Sequence, residues 1–135
     1  MRDIIFRGKR TDTGEWVYGA PAKDSHGETV MVESVFECEE YNCRGANCLY
    51  VDENTVGQYT GLTDKNGKKI FEGDVVNFKT TAYFFKNCRI NYESQFARFC
   101  AIDNKGYEYP MDKTFNYEII GNVFDNPELL RSDTE

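Results

Sequence analysis

Residues able to do chemistry are few in this chain of 135 residues, and they fall into three groups. Cys38, Cys43 and Cys48, spaced C-x4-C-x4-C, could supply three thiolates to zinc, with His26, Cys88 or Cys100 as the fourth ligand. Zinc sites usually place two thiolates on one tight C-x2-C turn, so this longer spacing is a weak signature, and free cysteine also serves as a small core hydrophobe. Glu72 and Asp74 flank Gly73, a pairing of carboxylates suited to acid–base work or to magnesium. With no base, nucleophile or phosphate loop beside it, an E-G-D turn is more simply a solvated corner. His26, the one histidine, sits between Ser25 and Gly27 with Asp24 close by. Neighbours along a polar loop rarely hold a nucleophile and a base in fixed geometry, so a surface histidine is the simpler reading. Neither GxxxxGKS/T nor GxSxG occurs. The expectation is a protein without a catalytic motif and without a cofactor, with a metal-dependent enzyme as a remote alternative.

Charge bears on the choice of partner. The net charge of −7 disfavours binding to a phosphate backbone, which needs lysine and arginine to displace counterions. Its distribution is uneven: Glu28 to Glu53 carries seven acidic residues against Arg44, while Lys65 to Lys105 carries eight basic residues against four acidic ones. Solvated sheet faces account for this most simply, and pairing of the two regions within or between subunits is the sharper alternative. Lys79, Lys86, Arg89, Arg98 and Lys105 alternate with Tyr83, Phe84, Phe85, Tyr92, Phe96 and Phe99, a pattern by which small barrels bind single strands. Alternating aromatics are also what a strand needs to fill a core, and the overall acidity weighs against nucleic acid.

No apolar run approaches the roughly 20 residues that cross a bilayer, and the opening MRDIIFRGKR lacks the longer apolar core of a signal peptide. The expected location is the cytosol, where five cysteines remain mostly reduced and no structural disulfide forms.

The elements that must carry these residues read as strands. Nine tyrosines and ten phenylalanines favour sheet over helix bundle. IIFRGKRTDTGEWVYGA predicts a hairpin turning at Asp12 to Gly14, with Trp16 and Tyr18 on one face. In ETVMVESVFEC, Val30, Val32, Phe36 and Cys38 alternate with Glu33 and Glu37, which predicts a half-buried strand. EEYNCRGAN reads as a loop or turn insertion, and CLYVD as a short returning strand.

The stretch TVGQYTGLTDKNGKKIFEGDVVNF, Thr55 to Phe78, is dense in turn signals. Gly57 and Gly61 predict bends into and out of a short extended piece, Asn66-Gly67 a hairpin turn, and Gly73 a corner. Turns so close together make short, bent strands, as a small barrel requires. Gln58, Tyr59, Glu72 and Asp74 lack a purely structural role in this reading and are the candidate binding residues. Strands follow over Tyr83 to Tyr92 and Phe96 to Ile102, with a turn at Asn104 to Gly106 and a bend at Gly121. Pro127 to Arg131 predicts one helical turn, with Asp125 or Asn126 able to cap it.

Three segments, FRGKRTDTGEWVYG (Phe6 to Gly19), VDENTVGQYTGLTDKNGKKIFEGDVV (Val51 to Val76) and YEIIGNVFDNPELL (Tyr117 to Leu130), closely resemble the YopX family of phage and prophage proteins. The resemblance implies an SH3-like small β-barrel and an origin in temperate phages or integrated elements, and it transfers no catalytic or binding residue. Cys38 to Cys48 and Thr80 to Lys113 depart from the pattern, so nothing carries over there. Together these readings predict an all-β chain with an N-terminal hairpin region over residues 1–54, an SH3-like barrel over 55–130 and a frayed tail over 131–135. The expected function is a non-enzymatic protein-interaction module in the cytoplasm of a bacterial host, binding a host or phage protein and self-associating through exposed sheet edges. The alternative is a small barrel that binds single-stranded nucleic acid.

Overall fold

The computed structural model describes residues 3–38 and 43–131, with the side chains of 35–38 and 43–44 outside that description. It is all-β: two antiparallel sheets and two 3-10 turns, Glu53–Thr55 and Pro127–Leu130, with no α-helix among the described residues. The chain divides into two compact units, Asp3–Gln58 and the part from Tyr59 onward.

The first unit contains β1 (Phe6–Lys9), β2 (Trp16–Lys23), β3 (Thr29–Cys38) and β4 (Cys43–Tyr50), in the sheet order β4-β3-β2-β1. The other edge of β1 pairs with the first two residues of β5 (Gly57–Thr63), through Phe6 opposite Gln58 and Arg7 opposite Gly57. Val17, Met31 and Val51 form the core, with Phe6, Leu49 and Val56 packed on them. Alternation in the sequence pointed to Val30 and Val32 as the inward set of β3; Val30 is buried, but so is its neighbour Met31, more completely, while Val32 is only half-buried. A bulge between Val32 and Ser34 resets the pleat along β3, so one parity cannot describe the whole strand. Residues 43–47, expected in a loop, are strand instead: the long β3 offers a complete ladder, and pairing across it overrides the turn preference of Gly45 and Asn47. Gly19 is required by close approach, since a Cβ there would lie 2.1 Å from the carbonyl oxygen of Val32.

Thr55 ties the 3-10 turn to β1. Its Oγ1 accepts from the Lys9 N–H at 2.8 Å and donates to the Asp52 carbonyl at 2.6 Å, while the Asp52 side chain caps the Asn54 N–H at 3.0 Å. A short polar side chain at this position closes the orphan donors that such a turn leaves.

In the second unit the remainder of β5 pairs with β6 (Lys69–Phe71). A five-stranded sheet follows, built from β7 (Asp74–Lys79), β8 (Phe84–Glu93), β9 (Arg98–Ile102), β10 (Glu108–Pro110) and β11 (Asn116–Asn122) in the order β10-β9-β8-β7-β11. Irregularities at Val76/Phe78 and Ile119/Gly121 bend the strands. Ile70, Val76, Phe78, Cys88, Ile90, Ala101 and Tyr117 are buried together, with Leu62 and Ile119 packed against them. The ladders leave β10 and β11 as open ends, so the described residues form two sheets and no closed barrel.

The turns of this fold share a device that the sequence displays as Asp-x-x-Gly. Asp24, Asp64 and Asp103 each open a four-residue turn that ends on a glycine at positive φ: Gly27, Gly67 and Gly106. In each, one carboxylate oxygen accepts from the backbone N–H groups two and four residues on, at 2.8 to 3.0 Å. The other oxygen accepts a donor from elsewhere: the Tyr50 hydroxyl for Asp24, the Ile119 N–H for Asp64 and the Tyr109 hydroxyl for Asp103. Asn66-Gly67 was expected to turn the chain as a pair of positive-φ residues, but only Gly67 has positive φ. The Asp64 carboxylate holds a longer loop with a single left-handed residue at its end. Gly57, expected at a bend, lies instead inside the ladder with β1, while Gly61, at φ 92°, marks the irregularity in β5.

Candidate functional site

The second unit carries an apolar pocket of about 310 Å³, lined by Phe78, Thr80, Tyr83, Phe85, Tyr109, Pro110, Met111, Asp112 and Phe115. Its floor is Phe78, which is 1% exposed and central to a set of rings. Phe85 stacks on it at 4.6 Å between centroids and Phe115 at 5.9 Å, while Tyr109 meets it edge-on at 5.9 Å. Rings in mutual contact have few rotamers to lose, so the floor is preorganised.

Two turns built by short polar side chains form the rim. At the β7–β8 hairpin the Thr80 N–H donates to the Tyr83 carbonyl at 2.8 Å, and Thr80 Oγ1 accepts from the Tyr83 N–H at 3.0 Å. This places Tyr83, 70% exposed, at the mouth. On the opposite side Asp112 accepts from the Thr114 N–H at 2.8 Å and from the Thr114 hydroxyl at 2.7 Å, and those donors hold its carboxyl below the usual range. The Asp112 N–H donates to the Tyr117 hydroxyl at 3.0 Å. Tyr109 turns its own hydroxyl toward Asp103; burial, then that hydrogen bond, raises its pKa. With these polar groups satisfied internally, an occupant meets a largely apolar surface, suited to an aliphatic or aromatic side chain.

The four binding candidates from the sequence stand elsewhere. Gln58 ends the first unit, opposite Phe6. Tyr59 lies in the second unit with its ring 5.7 Å from Phe71 and the Lys69 ammonium 5.8 Å from its centroid. Asp74 is 2% exposed, and its Oδ2 accepts from the Phe71 N–H at 2.8 Å across the β6–β7 turn. That bond gives Asp74 a structural role, closing the turn whose left-handed residue is Gly73, at φ 93°. Glu72 occupies the same turn and is half-buried. The pocket residues were visible in the sequence only as aromatic density between Phe78 and Phe85 and between Tyr107 and Tyr117, without the pairing that brings the two stretches together.

Among the cysteines, Cys38 and Cys43 face each other on the β3–β4 ladder, but their side chains lie outside the described residues. Cys48 is exposed, and Cys88 and Cys100 are buried free thiols. Burial pushes the Cys88 thiol up to about 12 and, with help from Glu93 and Glu108, that of Cys100 up to about 11. His26 is exposed, with its Nδ1 3.4 Å from Ser25 Oγ. The Asp24 carboxylate is engaged by backbone N–H groups and the Tyr50 hydroxyl, so it does not orient the imidazole as a triad acid would.

Comparison with protein families places residues 5–131 in a single match, to the family described as YopX protein. The chain belongs to the YopX family. The YopX match spans all three segments that carry the sequence resemblance and also the pocket residues between them. A solved structure of similar fold is the crystal structure of protein EF1440 from Enterococcus faecalis, which is 23% identical, with a TM-score of 0.57 over 97% of this chain and 100% of that one. No curated protein matches the chain. No helix among the described residues is long and apolar enough to cross a membrane.

Proposed function

We propose that this YopX-family chain is a non-enzymatic protein-interaction module of phage or prophage origin, acting in the cytoplasm of a bacterial host, and that its aromatic pocket receives an apolar side chain of a partner protein. The observation that carries the reading is the pocket itself: stacked rings, satisfied polar groups and an exposed tyrosine at the mouth. Aromatic anchors in desolvated pockets dominate the energetics of protein interfaces. An SH3-like description of the second unit belongs to the same proposal, supported by its bulged, curved strands and by Leu62 and Ile70 packing on the sheet. Open edges such as β10 favour self-association as a further mode.

Affinity capture from host lysate, with and without nuclease, tests the reading against a Met111→Glu variant, which puts a charge into the pocket. The expected result is a protein partner retained after nuclease and lost with the variant. Equal capture by both proteins would remove the pocket from the interaction.

One observation favours a second reading. Phe84, Tyr92 and Phe96 are exposed, and the Arg98 guanidinium lies 4.5 Å from the Phe96 centroid. Such a platform suits stacking of single-stranded bases. Binding of short single-stranded oligonucleotides at low salt, weakening as salt rises, would support it; absence of binding at low salt would end it.

A further inference from the structure

The face of the five-stranded sheet opposite the aromatic core holds a cluster that no single stretch of sequence displays. Cys100 on β9 stands opposite Asn91 on β8 and opposite Pro110 on β10. Side chains alternate along each strand, so Glu93, two residues beyond Asn91, and Glu108, two before Pro110, share the face of Cys100. Ligand atoms of Glu93, Cys100 and Glu108 all lie within 4.8 Å of one another.

Two further features point to a cation between them. The Glu93 side chain is only 9% exposed, and its Oε2 is buried without a hydrogen-bond partner. A buried carboxylate oxygen left so is costly unless something positive reaches it. The Arg98 guanidinium approaches only the other oxygen, Oε1, at 3.4 Å. Glu93 and Glu108 also reach toward each other from strands on either side of β9, although like charges repel at such separations. A divalent cation between the two carboxylates would relieve that repulsion.

We propose that Glu93, Cys100 and Glu108 form a site for a thiophilic divalent cation of the zinc class. The thiolate disfavours magnesium and calcium, which take oxygen ligands, and three protein ligands leave one tetrahedral position for solvent. The charges balance: one thiolate and two carboxylates against a divalent ion and the adjacent Arg98. Binding releases the thiol proton, so affinity rises with pH.

The test uses the full chain, freed of any affinity tag and stripped with chelator, titrated with cobalt(II) and zinc(II) at neutral pH. One equivalent of cobalt should bind and give a thiolate-to-cobalt charge-transfer band. Glu108→Gln alters an exposed side chain and leaves the fold in place, and it should weaken binding at least ~10-fold, a loss that even outer partners of metal ligands produce. Cys100→Ser should abolish the charge-transfer band. A variant with Cys38, Cys43 and Cys48 all changed to serine should still bind one equivalent. Absence of stoichiometric binding by the wild type, unchanged affinity in Glu108→Gln, or loss of the site in the triple serine variant would each overturn the proposal.

Discussion

Asp64 offers the sharpest test of how this fold is held together. The residue is 6% exposed, and its carboxylate accepts three backbone N–H groups: Asn66 and Lys68 at 2.9 Å and Ile119 at 3.2 Å. Replacement by alanine frees all three. Water can reach the donors of Asn66 and Lys68, which are exposed, so each costs only about 0.5–1.5 kcal/mol. The Ile119 donor lies in a half-buried stretch 55 residues away in sequence, and stranding it costs about 1–3 kcal/mol. Removing a buried charge recovers part of its desolvation cost, which leaves a net loss of about 3 kcal/mol. At roughly 4 °C per kcal/mol for a chain of this size, Tm should fall by about 12 °C. Urea unfolding measures the same loss as a lower midpoint at unchanged slope.

Asp103 is the internal control, since it sits in the same kind of turn of the same unit. It is less buried, and its tertiary donor is a side-chain hydroxyl rather than a backbone group, so Asp103→Ala should cost clearly less. Equal losses for the two variants would refute the weight placed on the Ile119 donor. The pH dependence gives a second reading. Burial pushes the Asp64 carboxyl up, but the N–H groups of Lys68, Ile119 and Asn66 and the Lys68 charge together outweigh it and hold it below its usual value. A depressed folded pKa confers stability that is present above the unfolded value of about 3.9 and is lost as pH falls through the folded one. The wild type should therefore lose more stability than Asp64→Asn on acidification below about pH 4.

Other outcomes follow from the same geometry. Gly19→Ala should destabilise the first unit by about 2 kcal/mol or more, because the new Cβ would lie 2.1 Å from a backbone carbonyl that can only move by breaking the β2–β3 ladder; wild-type stability in urea would disprove the clash. Cys48 should react with iodoacetamide at pH 8 while Cys88 and Cys100 stay unlabelled in the native protein, since burial removes access and pushes their thiols up to about 12 and 11. Mass spectrometry after timed labelling checks this, and modification of Cys88 at the rate of Cys48 would contradict the packing.

Strand content and most turn positions could be read from residue types, because alternation and glycine placement are local signals. The roles of individual residues in those turns could not. Asn66-Gly67 drew attention as a dipeptide, yet the controlling group is Asp64, whose second oxygen serves a strand far away in sequence. Asp74 looked free of structural duty until the β6–β7 turn closed around its side chain. The pocket depends on the β7–β8 hairpin and the segment after β10 meeting around Phe78, and the Glu93, Cys100 and Glu108 cluster depends on the register of three strands. Register is a property of the assembled sheet, and one residue of slip would send Cys100 to the other face. Sequence alone offered the C-x4-C-x4-C run as the metal candidate because spacing is all it displays.

The Asp-x-x-Gly turns carry a practical consequence. Their geometry is written by the first and last residues, while the middle positions, Ser25 and His26, Lys65 and Asn66, Asn104 and Lys105, are exposed. These six positions are therefore places where mutation can drift or an experimenter can diversify at little cost to folding. A cysteine introduced at Asn104, for example, would carry a fluorophore on the second unit while Asp103 and Gly106 keep the turn in shape. Close relatives of this chain could likewise alter the outward chemistry of these tips without redesigning the sheets beneath.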